Sequence, residues 1–446
     1  MQPLAATVAA LTRKNAIAML SRMQRHRPGL RVVFAIAIGV WSWCSGAAGT
    51  AAPSAPQADT QRQLLATLTA LAQKQPRHVG ALYVAARTAA ALGEDAVAIE
   101  WLDRLEKVGM ADELDPDDFG VFAQSPAFRE RAARFAAAAP PIGRAISTLE
   151  TQCADLLPEG TAFDPRRDEL LVSSGRRRTV VAISTSGRCR DVVPEGDGEL
   201  KAVLGMTVDA ATDSLWVAST AAPFMINAQQ VESGRAALVR IDLAHGRVTA
   251  SYALPGPGLL NDVARGRDGS TYVTESQGGT VYRLAPAGGE LKLLFPADTF
   301  ESPNGIVVLS GGALLVADFD GLALVVDPAG VSPKVQRLTT PQGLYLGGID
   351  GLALANGRVI GIQNLVGRSR VWALTIDVRQ RRVAQAKVLM RGHPDFLNPT
   401  TGVVARGKFN FVADTRLQQS RPDGTLSPLP AGRAGHRLLA IALPVR

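Results

Sequence analysis

Six short segments of this 446-residue chain occupy one register of a repeat: Pro158-Glu159-Gly160, Gly205-Met206-Thr207, Leu260-Asn261-Asp262, Pro303-Asn304-Gly305, Ile349-Asp350-Gly351 and Thr400-Thr401-Gly402. Four of them present an oxygen-bearing side chain at the same place: Glu159, Asn261, Asn304 and Asp350. Two carboxylates and two amide carbonyls form a hard, all-oxygen donor set. Such a set suits calcium, with magnesium, manganese or zinc as alternatives, rather than a thiolate-seeking metal. Its formal charge would neutralise a divalent ion. Each dipeptide alone reads equally well as turn chemistry. Recurrence at matching positions is what points to a site, and the glycines after Glu159, Asn304 and Asp350 permit close backbone packing there.

Residues so far apart in sequence meet only if a repeating architecture brings them together. The segments ELLVSS (169–174), SLWVAS (214–219), STYVTE (270–275), ALLVAD (313–318), RVIGIQ (358–363) and FNFVAD (409–414) start 45, 56, 43, 45 and 51 residues apart. Six β-rich units of this period predict a mainly β fold, a six-bladed β-propeller over 145–446. In that fold the innermost strands begin at one mouth of a central tunnel, which is where the oxygen donors fall. Third strands are visible as TVVAIS, ALVRID, TVYRL, LALVVD, RVWALTID and RLLAIAL. The last unit lacks an outer strand, and Ala145–Thr151 is placed to supply it and close the ring. Ala221–Arg235 is the longest loop and could overhang a pocket. Arg176-Arg177-Arg178 reads as a hairpin turn, and Asp318 and Asp414, at the ends of second strands, as acceptors for backbone amides.

The E-G, N-D, P-N-G and D-G motifs at Glu159, Asn261, Asn304 and Asp350 resemble, in the same blades and order, the metal-binding positions of the gluconolactonase/regucalcin family. The resemblance covers about 290 residues. It implies a divalent metal at these four residues and hydrolysis of a lactone, aryl ester or organophosphate, with the metal polarising a carbonyl oxygen. Asp350 would be the general base or nucleophile, and Asp262 a second-layer partner of Asn261. The sequence departs from the sugar-lactone members at Leu259, where they carry a substrate-holding Arg, and at Val263, where Gly is usual. A sugar acid and a less polar substrate both stay open. The aryl-esterase relatives' His pair has no counterpart in sequence; His393, in the loop RGHPDF, reads as a plain loop residue. His245 and His436 read as turn residues, His78 and His26 as surface or leader.

Ahead of the propeller, residues 60–139 form a small α-helical domain. Leu64, Leu65, Leu68 and Leu71 recur at helical spacing, Pro76 breaks the helix, and Gly93 marks a turn between two more. HVGALYVAARTAAALGEDAVAIEWLDRLEKVG resembles one tetratricopeptide repeat. That implies a partner-binding groove, or else a structural cap on the propeller. Residues 49–59 read as a disordered Pro/Ala linker.

Residues 1–48 read as a signal peptide: Arg13, Lys14, Arg22, Arg25, Arg27 and Arg31, then the apolar run Val32–Val40, then small residues. The run is too short for a span of about 20 residues, so a periplasmic or secreted protein without a stable membrane span is expected. These six basic residues account for most of the net charge of +8. The remainder is nearly neutral, which argues against a nucleic-acid-binding face. With Cys44 in the leader, Cys153 and Cys189 remain, either as a disulfide or as two buried thiols. No G-x-S-x-G, phosphate-binding loop, H-E-x-x-H or C-x-x-C occurs. The competing functions are a metal-dependent hydrolase of a small lactone or ester, a non-catalytic propeller whose helical domain recruits a protein partner, and a strictosidine-synthase-like or isomerase activity on the same scaffold.

Overall fold

The computed structural model describes residues 55–443, apart from 77, 109–113, 342–343, 365–367, 418–419, 421–424 and 430. The expected leader, residues 1–48 with Cys44 and His26, lies outside the described residues. Among them, no helix is long and apolar enough to cross a membrane.

Among the described residues four α-helices come first: α1 (Ala55–Lys74), α2 (Val79–Ala91), α3 (Asp95–Lys107) and α4 (Pro126–Ala138). Leu64, Leu68 and Ala72 recur every four residues on α1 and are buried. Gly93, at φ +72°, makes the left-handed turn between α2 and α3. α4 starts on a Ser125 hydroxyl that accepts from the Phe128 amide, followed by Pro126 at the first helical position. Helix α1 begins inside the expected linker, because Pro56 falls in its first turn, where the missing N–H costs nothing.

The remaining strands make six four-stranded antiparallel sheets. Blade one is β2 (Thr161–Asp164), β3 (Glu169–Ser174), β4 (Thr179–Ile183) and β5 (Cys189–Asp191); blade two is β6 (Ala202–Asp209), β7 (Ser214–Thr220), β8 (Ala236–Asp242) and β9 (Arg247–Ala253). Blade three is β10 (Leu260–Arg265), β11 (Thr271–Glu275), β12 (Thr280–Leu284) and β13 (Lys292–Leu293); blade four is β14 (Ile306–Val308), β15 (Leu314–Asp318), β16 (Gly321–Val326) and β17 (Lys334–Arg337). Blade five is β18 (Ile349–Ala355), β19 (Arg358–Gln363), β20 (Arg370–Asp377) and β21 (Arg382–Arg391). Blade six is β22 (Gly402–Ala405), β23 (Lys408–Val412), β24 (Arg437–Ala442) and, as expected, β1 (Ser147–Glu150), with Leu149 opposite Leu438.

Each blade buries both faces against its neighbours. Leu171 and Val180 of blade one share a core with Val203, Leu215 and Val239 of blade two; Val172 and Val181 pack on Val412 and Leu438 of blade six. Fully burying each such side chain contributes roughly 1.5–3 kcal/mol. Inner strands β2, β6, β10, β14, β18 and β22 contact one another in turn around the axis. They enclose a channel of about 500 Å³.

Cys153 and Cys189 form a disulfide. It joins the segment after β1 to β5, across the seam between blades six and one. Two histidines are not where the sequence reading put them. His436 is fully buried at the start of β24, its Nδ1 against the Asp414 carbonyl at 3.1 Å. His78 is buried as the N-cap of α2, its ring lying against Phe319 and Tyr345 of the propeller. A residue flanking a turn reads as exposed when the surface that covers it comes from a distant segment. Phe319 belongs to the helical block's own core, with Tyr345 packed beside it. The helices are therefore docked on blades four and five.

Candidate functional site

The loops that lead into the inner strands are anchored by polar residues at the ends of the second strands. The Ser173 hydroxyl accepts from the Gly160 amide at 2.7 Å and the Glu159 amide at 3.4 Å. The Glu275 carboxylate accepts from Leu259, Gln277 and Gly278 amides. Asp318 accepts from Glu301, Ser302 and Phe319 amides and pairs with Arg337 at 2.6 Å. Gln363 donates to the Tyr345 and Gly347 carbonyls, at 3.2 and 2.7 Å, and accepts from the Trp372 indole. Buried loop amides must find partners, and these side chains fix the approach to Glu159, Asn261, Asn304 and Asp350. Asp318 thus has the amide-binding role expected of it, as does Asp414, which accepts from the Arg416 amide.

Two inner strands carry a bulge at the site itself. The register shifts between Leu260 and Val263, and again between Ile349 and Leu352. A bulge re-aims the residues it contains, here Asn261-Asp262 and Asp350-Gly351. Gly305 has to be glycine, since a Cβ there would stand 2.5 Å from the Asp350 carbonyl oxygen.

Asp350 is the hub. Asn304 Nδ2 donates to its Oδ1 at 2.6 Å, and Asn364 Nδ2 to its Oδ2 at 2.5 Å. Asn364 also donates to the Pro399 carbonyl at 2.9 Å. Asn261 Nδ2 donates to the Ser276 hydroxyl at 3.1 Å, which donates in turn to the Pro303 carbonyl at 2.6 Å, one residue before Asn304. Thr400 and Thr401 hydroxyls donate to the Glu159 carbonyl, tying blade six to blade one. Among the described residues no hydrogen bond joins Asp262 to the Asn261 side chain. Asp262 accepts from its neighbour Val263 at 2.9 Å and from the Ile306 amide of blade four at 3.1 Å, because the bulge turns its carboxylate toward β14. Met206 packs between blades one and two, and His393 stays in its loop, with Nδ1 accepting from the Asp395 amide.

Burial pushes the Glu159 carboxyl well above the usual range, and the charges of Asp350 and Asp262 push it further. Burial raises Asp262 to about 7, against two backbone amides that favour its charged form. Asp350 is raised to about 6 by burial, with the Asn364 and Asn304 amides pulling it down. Among the described residues no Lys or Arg forms an ion pair with these three carboxyls. Among the described residues nothing hydrogen-bonds to the Glu159 carboxylate. Asn261 and Asn304 commit their NH2 groups to protein acceptors, which leaves both carbonyl oxygens uncommitted. Two carboxylates, the buried Asp350 and the half-buried Glu159, beside two uncommitted amide oxygens, have the donor chemistry of a hard divalent cation site. No group of three or more His, Cys, Asp or Glu able to hold a metal occurs among the described residues; this set mixes carboxylates with amides.

Asn364 and Ser276 were not singled out by the sequence reading. Each stands immediately after a second-strand segment, RVIGIQ and STYVTE. Comparing that register across blades, as was done for the inner strands, would have found them.

No protein-family model and no curated protein matches the sequence. Among solved structures, similarity extends to a PQQ-bound aldose sugar dehydrogenase from Streptomyces coelicolor, at 16% identity over 68% of this chain and 98% of that one, TM-score 0.47. A gluconolactonase from Xanthomonas campestris is similar at 14% identity over 68% and 95%, TM-score 0.46. The allergen Mala s 1 from Malassezia sympodialis is similar at 12% identity over 66% and 95%, TM-score 0.49.

Proposed function

We propose that this protein is an exported, metal-dependent hydrolase of a small lactone or ester, working at the mouth of the propeller channel. The observation that carries the reading is the meeting of donors from separate blades: Asn304 Nδ2 on Asp350 Oδ1 at 2.6 Å, with the half-buried Glu159 near enough for the charge of Asp350 to act on it. Glu159, Asn261, Asn304 and Asp350 would hold the cation, calcium being the first choice. When bound, it would polarise a substrate carbonyl. Asn304 and Asn364 each donate to one oxygen of Asp350 and so hold the plane of its carboxylate. Asp350 would accept the proton of the attacking water, or attack directly. Asp262, held by backbone amides, would stabilise the loop of Asn261 and add negative charge to the site.

Export is supported by the leader pattern of residues 1–48 together with the Cys153–Cys189 disulfide, since such bonds persist in oxidising compartments. The tetratricopeptide likeness rests on sequence. The packing of Phe319 into the helical core favours a structural cap over a free partner-binding groove.

Metal analysis of purified protein, followed by a screen of lactones, aryl esters and phosphotriesters with and without chelator, tests the proposal. Chelator-sensitive turnover, abolished in a folded Asp350→Asn variant, is expected. Bound metal with no turnover on any class would favour a non-catalytic propeller instead.

A further inference from the structure

The helical block sits on the segment that delivers Asp350. Tyr345, five residues earlier in sequence, donates its hydroxyl to the Phe319 carbonyl at 2.9 Å. The same hydroxyl lies against Gly80 in the first turn of α2, so close that a Cβ on Gly80 would collide with it. The His78 ring, capping that helix, stands 5.9 Å from the Tyr345 ring. On the other side, Gln363 holds the Tyr345 and Gly347 carbonyls. The next residue, Asn364, donates to the Asp350 carboxylate. A continuous set of contacts therefore runs from the α2 terminus through Tyr345 and the end of β19 to the aspartate.

We propose that Tyr345 is a positioning residue through which the helical block sets the placement of Asp350, making the helices part of the site's framework. The idea deepens the hydrolase reading and rests on it for its catalytic consequence, though its structural core is separable. Gly80 carries the argument because intrinsic propensity and packing disagree there. Alanine is the better helix former, yet its methyl must displace the Tyr345 hydroxyl.

The test uses full-length protein and the variants Gly80→Ala, Tyr345→Phe and the double variant. Hydrogen exchange over 344–352 is read in metal-free protein, then calcium affinity by titration, then kcat and KM on any substrate found. Gly80→Ala should stay folded by circular dichroism, exchange about tenfold faster over 344–352, bind calcium about tenfold more weakly, and lose kcat with KM unchanged. Removing the hydroxyl in the double variant relieves the closest contact, leaving the ring carbon at 3.2 Å, and should bring exchange and affinity back to the smaller change of Tyr345→Phe alone. Unchanged exchange over 344–352 in folded Gly80→Ala, or no rescue in the double variant, would overturn the proposal. If Gly80→Ala does not fold, Tyr345→Phe decides: faster exchange over 344–352 supports it and wild-type exchange overturns it. Wild-type protein that binds no divalent cation would sink the hydrolase reading alone, because the exchange comparison stands without metal.

Discussion

The side-chain amide of Asn364 donates to Oδ2 of Asp350 at 2.5 Å. A hydrogen bond to a buried carboxylate contributes about 1.5–3 kcal/mol. It also fixes which way the acid faces. Asn364→Ala is expected to lower kcat by roughly 10–100-fold, at 1.4 kcal/mol per tenfold, with a smaller change in KM. Steady-state kinetics on the best substrate from the screen checks this; wild-type kcat would show that Asn304 alone suffices.

Cation binding should depend steeply on pH. Burial raises two of the proposed ligands, Asp350 to about 6 and Glu159 well above its usual range. Protons compete with the cation for these oxygens, so acidification weakens binding and binding releases protons. Calcium affinity should fall at least about tenfold from pH 7.5 to 5.5. Calorimetric titration in buffers of different ionisation enthalpy measures both effects. A pH-independent affinity would place the ion elsewhere.

His436 should make stability pH-dependent in the opposite sense from these acids. Burial, aided by the charges of Arg416 and Arg433, lowers it from 6.5 to about 4. Between those values the unfolded chain binds a proton that the folded protein resists. Stability from this group is therefore complete above pH 6.5 and lost as pH falls toward 4. From pH 7.5 to 5 the loss is about 2 kcal/mol. Urea unfolding of wild type and His436→Gln at both pH values isolates it, since the acids are common to the two proteins. Parallel pH profiles would count against a neutral buried imidazole.

The Cys153–Cys189 bridge spans 36 residues and crosses the ring's closing seam. Its loss, through the double Ser variant or reduction, should cost about 2–4 kcal/mol. The change would appear as a lower denaturation midpoint, with chelator sensitivity unaltered. Equal midpoints under oxidising and reducing conditions would mean that the bridge does not form in solution.

How much of this was readable in the residues varies from one element to another. RVIGIQ became β19 over the stated span and ELLVSS became β3, because a short run with apolar, β-prone residues is a local property that a strand buried on both faces between blades retains. Ring closure by β1 followed from counting strands, since the last blade was one short. By contrast, no local pattern shows that the Asp262 carboxylate accepts from the Ile306 amide of another blade, a contact that the bulge in β10 creates. The choice between thiols and a disulfide depended on two segments meeting across the seam.

The sequence alone determined the repeat, its count, and the register that lines up Glu159, Asn261, Asn304 and Asp350, all of which arise from patterns within a single blade. Only the tertiary structure decided which amide holds Asp350, where His78 and His436 lie, and that the helices dock beside Tyr345. Those contacts join residues from 14 to more than 200 positions apart, and their geometry comes from the ring's closure and packing, which no local pattern encodes.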